Sequence, residues 1–247
     1  MDKKEIYARH NGEDMYFEDH GLHKKITYKE ACKLLLDKGL ILPDGPQIAS
    51  LLDTAYNENP KTFGSYYSVR WTLWKSKIRI FNIKIWNMMS ETNPGLYVVY
   101  DNCGEGLSRE FKVNELEEKL KDADTFNGVR FSKDRYVRFA PKSTILIGEL
   151  PKESLKDEGS TIATFGVEGV DIMSKISKNF FCKPTIFGGN DINSIRAEIS
   201  AITGTQCDCW VNCLCDDRLQ LYGDMGEGDL TFGTYPLFGI SRKGKTR

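Results

Sequence analysis

The chain has 247 residues, of which 40% are hydrophobic and 28% are charged, and its formal net charge is −1. This length allows one large domain or two ordinary ones with a real apolar core, so stabilisation by disulfide bonds is not needed. The near-neutral charge excludes a globally basic nucleic-acid binder, and only a local group of cations can argue for such a partner.

The sequence gives no sign of export or of a membrane. Its polar start lacks the apolar stretch of a secretory signal, and no apolar run is long enough to span a bilayer. The seven cysteines are an odd number, which favours free thiols in a reducing compartment. We therefore expect a cytoplasmic protein without a membrane partner.

The first region, residues 1–62, is predicted to form a hairpin followed by two helices. Two short alternating runs flank Asn11 and Gly12, the strongest short signal for a β-hairpin. Thr27 followed by Glu30 has the spacing of a capping box and predicts a helix start. A second helix follows, opened by a proline, which is a favoured residue in a first helical turn.

The middle region, residues 63–155, is predicted to be a mixed α+β segment. Apolar and β-branched residues predict strands at 78–89, 96–100 and 144–150, with a short helix and a hairpin between the last two. The polar stretch 151–160 contains Pro, Gly and Ser, which is typical of a linker.

The last region, residues 156–247, shows a different pattern. Short apolar runs at 161–166, 183–189 and 206–215 alternate with two helical patterns, which indicates a β-α-β-α-β unit with parallel strands. Glycine-rich antiparallel strands follow. The fold class predicted for the whole chain is α+β: an N-terminal hairpin plus two helices, a mixed middle sheet, and this C-terminal unit.

Four cysteines are crowded into one predicted strand: Cys207, Cys209, Cys213 and Cys215. All are at odd positions, so they share one face, with side chains roughly 6.5–7 Å apart along the strand. Sulfur atoms around a tetrahedral zinc must lie roughly 3.8 Å apart. The pattern therefore favours a buried, cysteine-lined face, since free cysteine packs as a small hydrophobe. Metal binding and thiol chemistry are the alternatives.

The segment 61–86 combines cations with aromatic side chains and contains no acidic residue. Cations meet phosphates, and exposed aromatic faces stack on unpaired bases, so this pattern indicates an RNA- or DNA-binding surface. The alternative is that the tryptophans are core residues and the lysines an ordinary solvated face. The candidate residues are Arg70, Trp71, Trp74, Lys75, Lys77, Arg79 and Lys84.

Carboxylates follow the apolar runs of the last region. In an open parallel sheet, ligands bind at the carboxyl ends of the strands, and carboxylate oxygens are the ligands that Mg²⁺ prefers. This arrangement would suit a magnesium-dependent enzyme or one with a phosphate-bearing ligand; the alternative is that the acids are helix caps and turn residues. The candidates are Glu168, Asp191, Asp216 and Asp217.

Three functions follow from these patterns. The favoured one is a nucleic-acid-associated protein that uses segment 61–86. The second is the magnesium-dependent or phosphate-ligand enzyme. The third is a protein-interaction module without catalytic activity.

Overall fold

The computed structural model describes residues 4–24, 26–57, 77–104, 106, 109–180, 182–186, 192–201, 203–214, 218–223 and 234–241. The helices are α1 Tyr28–Leu36, α2 Gly45–Asn57, α3 Val113–Lys119, α4 Gly159–Ser177 and α5 Ile192–Ala201, with 3₁₀ turns at Lys142–Thr144 and Lys152–Asp157. The strands are β1 Lys4–His10, β2 Glu13–Lys24, β3 Lys77–Asn87, β4 Gly95–Tyr100, β5 Asp124–Phe126, β6 Val129–Phe131, β7 Val137–Pro141, β8 Gly148–Glu149, β9 Thr185–Ile186, β10 Thr203–Leu214, β11 Arg218–Gly223 and β12 Thr234–Ser241.

The strands form two sheets. The smaller has the order β1-β2-β12, and the larger has nine strands in the order β5-β6-β7-β4-β3-β10-β11-β9-β8. Neighbouring strands are antiparallel except β9 and β11, which are parallel. Helices and antiparallel sheets in one chain confirm the predicted α+β class.

The signals in the first region are confirmed. Asn11 and Gly12 have φ of 51° and 81° and join β1 to β2, as a hairpin turn with two left-handed residues requires. The Thr27 hydroxyl accepts from the Glu30 N–H at 3.1 Å, and the Glu30 carboxylate accepts from the Thr27 N–H at 2.9 Å. This reciprocal capping box starts α1.

Strand β3 lies in the middle of the molecule and is covered on both faces. Its even-numbered residues, such as Ile78 and Ile80, share a core with α2 and α4, whereas Phe81 and Ile83 share a second core with α1. Six of its eleven residues are apolar, and they are divided between the two cores. Pairing with β10 jumps from Ile83 to Ile80 between two successive β10 residues, so Phe81 and Asn82 form a two-residue bulge.

The strand predicted at 161–166 is wrong, because these residues are helical and belong to α4. A short apolar run does not distinguish a buried strand from a buried helix. Here the helix is favoured by a capping residue three positions before the run. The Glu158 carboxylate accepts from the N–H groups of Ser160 and Thr161 and so caps the helix. Strand β10 is also antiparallel to both of its neighbours, so the expected parallel crossover arrangement does not form.

The three sequence regions contribute strands to common sheets. β2 from the first region pairs with β12 from the last, and β3 from the middle region pairs with β10. Most of the stretch predicted as a linker forms the 3₁₀ turn Lys152–Asp157, in which Leu155 is fully buried. Within the described part of the chain, no helix is long and apolar enough to cross a membrane.

Glu158 generates a stability prediction. Its fully buried carboxylate accepts five hydrogen bonds, from the N–H groups of Ser160, Thr161 and Leu146 and from the two hydroxyls of Ser160 and Thr161. Glu158→Gln keeps the shape but turns an amide NH₂ toward these donors. We expect the free energy of unfolding to fall by at least about 1–3 kcal/mol in urea titrations.

The matched control is Glu153→Gln in the preceding 3₁₀ turn, where the side chain is exposed. Its effect should stay within about 0.5 kcal/mol. Equal effects of the two substitutions would contradict a capping role for Glu158.

Candidate functional site

Helix α4 is broken at one residue. Gly166 has φ 71° and ψ 177°, a backbone conformation that only glycine adopts readily. The break divides α4 into residues 159–165 and residues 167–177. It leaves the last carbonyls of the first part without their usual helical partners.

Two side chains from the large sheet bind those carbonyls. The Thr164 carbonyl accepts from Asn82 Nδ2 at 3.1 Å and from Arg138 Nη1 at 2.9 Å, and Nη1 also donates to the Ala163 carbonyl at 3.1 Å. Arg138 is 5% exposed. A buried cation at the C-terminal end of a helical segment also offsets the partial negative charge that accumulates there. The sheet therefore stabilises the break directly.

The same arginine reaches the start of α2. Arg138 Nη2 lies 3.3 Å from Asp44 Oδ2, while Asp44 Oδ1 accepts from the Gln47 N–H at 3.1 Å and so caps α2. Gly45 lies so close to α4 that an added Cβ would be 1.9 Å from the Thr164 carbonyl oxygen. The Arg138–Asp44 ion pair thus joins β7, α2 and α4 at one point.

A cavity of about 310 Å³ opens beside this point. We call it the kink cavity. Phe131 and Phe165 contribute its apolar wall and are themselves 2% and 1% exposed. The full lining comprises His10, Asn11, Asp44, Pro46, Phe131, Arg135, Arg138, Phe165, Gly166, Val167 and Glu168.

The second arginine of the kink cavity, Arg135, is exposed to solvent. Arg135 Nη2 lies 3.7 Å from Asp124 Oδ2, and its guanidinium is 5.4 Å from the centre of the Phe131 ring. Lys133 donates to Asp124 at 2.6 Å, and this bond, with the nearby cations, lowers the pKa of that carboxyl. Asp124 is therefore ionised near neutral pH, and the Arg135 side chain beside it stays 57% exposed at the rim.

His10 and Glu168 also line the kink cavity. His10 Nδ1 lies 2.9 Å from the Ser50 hydroxyl, which donates its own proton to the Pro46 carbonyl at 3.2 Å. Whether Nδ1 donates or accepts in this contact is set by the tautomer of the ring. The Glu168 side chain is exposed, and neither a hydrogen bond nor an ion pair joins it to any residue that the structure describes.

Strongly shifted acid–base groups lie elsewhere. Burial is the main cause that raises the pKa of Cys32, Tyr97 and Tyr100 far above their ordinary values. Such shifts keep these groups protonated and inert near neutral pH, whereas a catalytic acid or base needs a pKa near the working pH. None of the three lines the kink cavity.

The cations predicted to bind nucleic acid are only partly described. Arg79 and Lys84 are 4% and 3% exposed, on opposite faces of β3, and the Arg79 guanidinium lies 5.6 Å from the centre of the Tyr28 ring. Neither can contact a phosphate backbone in this structure. Lys77 begins β3, but its side chain lies outside the described residues, as do Arg70, Trp71, Trp74 and Lys75, for which nucleic-acid binding stays a prediction.

Of the predicted carboxylates, the structure places only Glu168, at the kink cavity. Asp191, Asp216 and Asp217 lie outside the described residues. Among the residues that are described, no three His, Cys, Asp or Glu side chains are grouped so that they could hold a metal ion. Magnesium binding therefore stays a prediction that rests on the carboxylates beyond the described part.

The cysteine strand is described by its backbone as far as Leu214 and by the side chain of Cys207. Cys207 is 3% exposed and packs in the same core as Val211, which lies on the same face of β10. The backbones of Cys209 and Cys213 also belong to β10. Their side chains, and the whole of Cys215, lie outside the described residues.

Sequence reasoning missed Arg138, Asp44 and the break at Gly166. The Asp44–Gln47 spacing is a recognisable helix-start signal, and a glycine inside an apolar run signals a break as readily as a strand end. Arg138 could not be identified from the sequence, because a single arginine in a strand does not indicate which distant groups its side chain will contact.

Comparison with known proteins identifies the fold. No protein-family model and no curated protein matches the chain. A solved structure from Nanoarchaeota, in which the C-type lectin fold accommodates massive sequence variation, superposes with a TM-score of 0.54. The match covers 97% of this chain and 99% of that one, at 12% sequence identity. The likeness establishes a C-type lectin fold.

Arg138→Met should be among the most destabilising single substitutions. It leaves the Asp44 carboxylate largely buried without its counter-ion and removes the Arg138 donor from two helix carbonyls. Loss of one partner of a buried pair costs about 3–5 kcal/mol. Urea unfolding measures this, and Asp44→Asn/Arg138→Met should recover part of the loss because asparagine still caps α2 without a buried charge. A double variant as unstable as the sum of the single variants would contradict direct coupling.

Gly166→Ala tests the break itself. A Cβ at φ 71° and ψ 177° is strained, and it would also lie 3.3 Å from Pro46 Cγ. We expect the free energy of unfolding to fall by about 1–3 kcal/mol in urea titrations. Lys175→Ala, at an exposed helical position in the second part of α4, should be nearly neutral. A neutral Gly166→Ala variant would mean that this backbone conformation is not required.

Proposed function

We propose that this chain is a protein-interaction module built on a C-type lectin fold, and that the kink cavity is part of its binding surface. The observation that carries the proposal is which charged side chains of the cavity are already paired with other groups. Asp44 and Arg138 are engaged in holding the framework, whereas Arg135 is exposed at the rim and Glu168 is joined to no residue that the structure describes. A preformed concave site with an apolar wall and few free polar groups suits binding.

The fold likeness supports the same proposal. In the nanoarchaeal structure the C-type lectin fold accommodates massive sequence variation. Here 97% of the chain follows that fold at 12% identity. A framework that tolerates such variation is well suited to carry different binding surfaces, because partner choice then depends on a few surface side chains.

Two further observations favour binding over the other functions. The described cations Arg79 and Lys84 are buried, which removes them from a nucleic-acid surface. The strongly raised pKa values of Cys32, Tyr97 and Tyr100 belong to buried groups that do not line the cavity.

Selection of displayed random peptides on the immobilised full-length chain tests the proposal. We expect enriched peptides to lose binding to a Val167→Trp variant, because Val167 lines the cavity and an indole would fill it. The matched control is Asp171→Trp, which adds the same side chain one turn further along α4, at an exposed position outside the cavity. Fluorescence anisotropy with labelled peptides measures both affinities.

Loss of binding by Val167→Trp alone supports the proposal. Peptides that bind both variants like the parent chain, or a failure to enrich any peptide, would overturn the assignment of the kink cavity as a protein-binding site. Circular dichroism melting of each variant separates blocked binding from unfolding.

A further inference from the structure

We propose that strand β1 is a self-association surface, on which β1 of a second copy of this chain pairs antiparallel about a twofold axis at Tyr7. This surface is the edge of the small sheet. Self-association there goes beyond the proposed function, because it neither uses nor requires a ligand in the kink cavity. The place of β1 in the sheet, the direction of its backbone groups and the order of its charges support it.

Strand β1 lies at one edge of the small sheet. Among the strands that the structure describes, only β2 is its neighbour, and the two pair over seven consecutive residues without a register shift. Ile6 and Ala8 are fully buried and fix one face of β1 to the core. Proteins often protect an edge strand with a proline, a bulge or an inward-pointing charge, and residues 5–9 contain none of these. β1 is therefore a regular edge strand.

The hairpin turn determines which backbone groups of β1 face this edge. His10 and Glu13 close the two-residue turn as a hydrogen-bonded pair, so alternate residues of β1 bond to β2. The N–H and C=O groups of Glu5 and Arg9 fall between those residues and point to the opposite side, toward the edge. An added antiparallel strand would bond to these outward groups, and its possible registers differ in steps of two residues.

The charges of β1 select a second copy and one register. Edge charges of a single sign repel an identical strand, but Glu5 and Arg9 have opposite signs and lie two positions on either side of Tyr7. Antiparallel pairing about Tyr7 places Glu5 of each copy directly opposite Arg9 of the other, which forms two ion pairs across one twofold axis. Pairing about Glu5 or about Arg9 would bring like charges together. The sequence of β1 is thus complementary to itself.

The contacts of these two side chains within one copy are consistent with such a partner. Glu5 is exposed and lies opposite Glu18 of β2, and like charges directly across two strands are unfavourable. No residue in the described part of the chain forms a hydrogen bond or ion pair with the Glu5 side chain. Arg9 is also exposed, and its Nε donates to the Gly12 carbonyl at 3.3 Å. Arg9 of a second copy would supply the counter-ion of Glu5.

Sedimentation of the full-length chain over a concentration series tests the proposal, and we expect an equilibrium between monomer and dimer. Glu5→Arg and Arg9→Glu each replace two opposite-charge pairs by two like-charge pairs. Each should therefore weaken the dimer at least about tenfold. The matched control is Glu13→Arg, which makes the same charge change as Glu5→Arg at an exposed position of β2. It should change the dissociation constant by less than about twofold, because β2 is not at this edge.

Mixing the two charge variants is a sharper test. In the proposed register a Glu5→Arg chain is complementary to an Arg9→Glu chain, so the mixture should form heterodimers with about the affinity of the parent dimer. The double variant Glu5→Arg/Arg9→Glu exchanges the two charges and should dimerise by itself. A role of either residue in folding alone would not be rescued by mixing separate chains. Circular dichroism melting checks that each variant is folded.

Three results would overturn the proposal. A parent chain that stays monomeric up to about 1 mM would do so, and would leave this edge to a strand of another protein. A dimer that survives both single charge reversals would place the contact elsewhere. Single variants that lose the dimer but do not recover it on mixing would rule out the register about Tyr7.

Discussion

The architecture depends on which groups donate hydrogen bonds to one helix carbonyl, that of Thr164. When α4 breaks at Gly166, the Thr164 carbonyl loses its place in the helical ladder within a fully packed core, where an unpaired polar group is costly. Asn82 and Arg138 reach it from two strands of the large sheet. The break is tolerable only because those strands are aligned, and α4 in turn fixes where they can lie.

This arrangement explains why buried charge is found so near an open site. An ion pair that has lost its water seldom stabilises a protein more than apolar packing would, but its geometry is exacting. Arg138 and Asp44 hold β7, α2 and α4 in one relative position. The same residues line the cavity, so its shape is fixed by these contacts. A ligand entering such a site spends little free energy on ordering the protein, which is the usual advantage of a preformed pocket.

Local signals predicted local structure well. The Asn11-Gly12 turn and the Thr27 capping box depend on neighbouring residues, and both form as predicted. The run 161–166 was mistaken for a strand because apolarity alone does not specify an element, and its cap at Glu158 is a residue type less common at that position than serine or aspartate.

The candidate site was harder to predict, because it is assembled from distant parts of the sequence. Glu168 was expected to follow a parallel strand, but the run before it, residues 161–166, is helical. His10, Asp44 and Arg138 meet only through the packing of a hairpin, a helix and a strand far apart in the chain. Contacts between such distant residues depend on the whole fold, so the spacing of residues in the sequence does not predict them.

The pairing of β2 with β12 has a consequence for how the protein is made. These strands lie near opposite ends of the described chain, so the small sheet closes the longest loop in the molecule. Closure of long loops is entropically slow, and during synthesis β12 emerges long after β2. Until then β2 offers an unpaired edge to any strand nearby. Nascent or truncated chains are therefore expected to associate edge to edge, a hazard that the finished sheet removes.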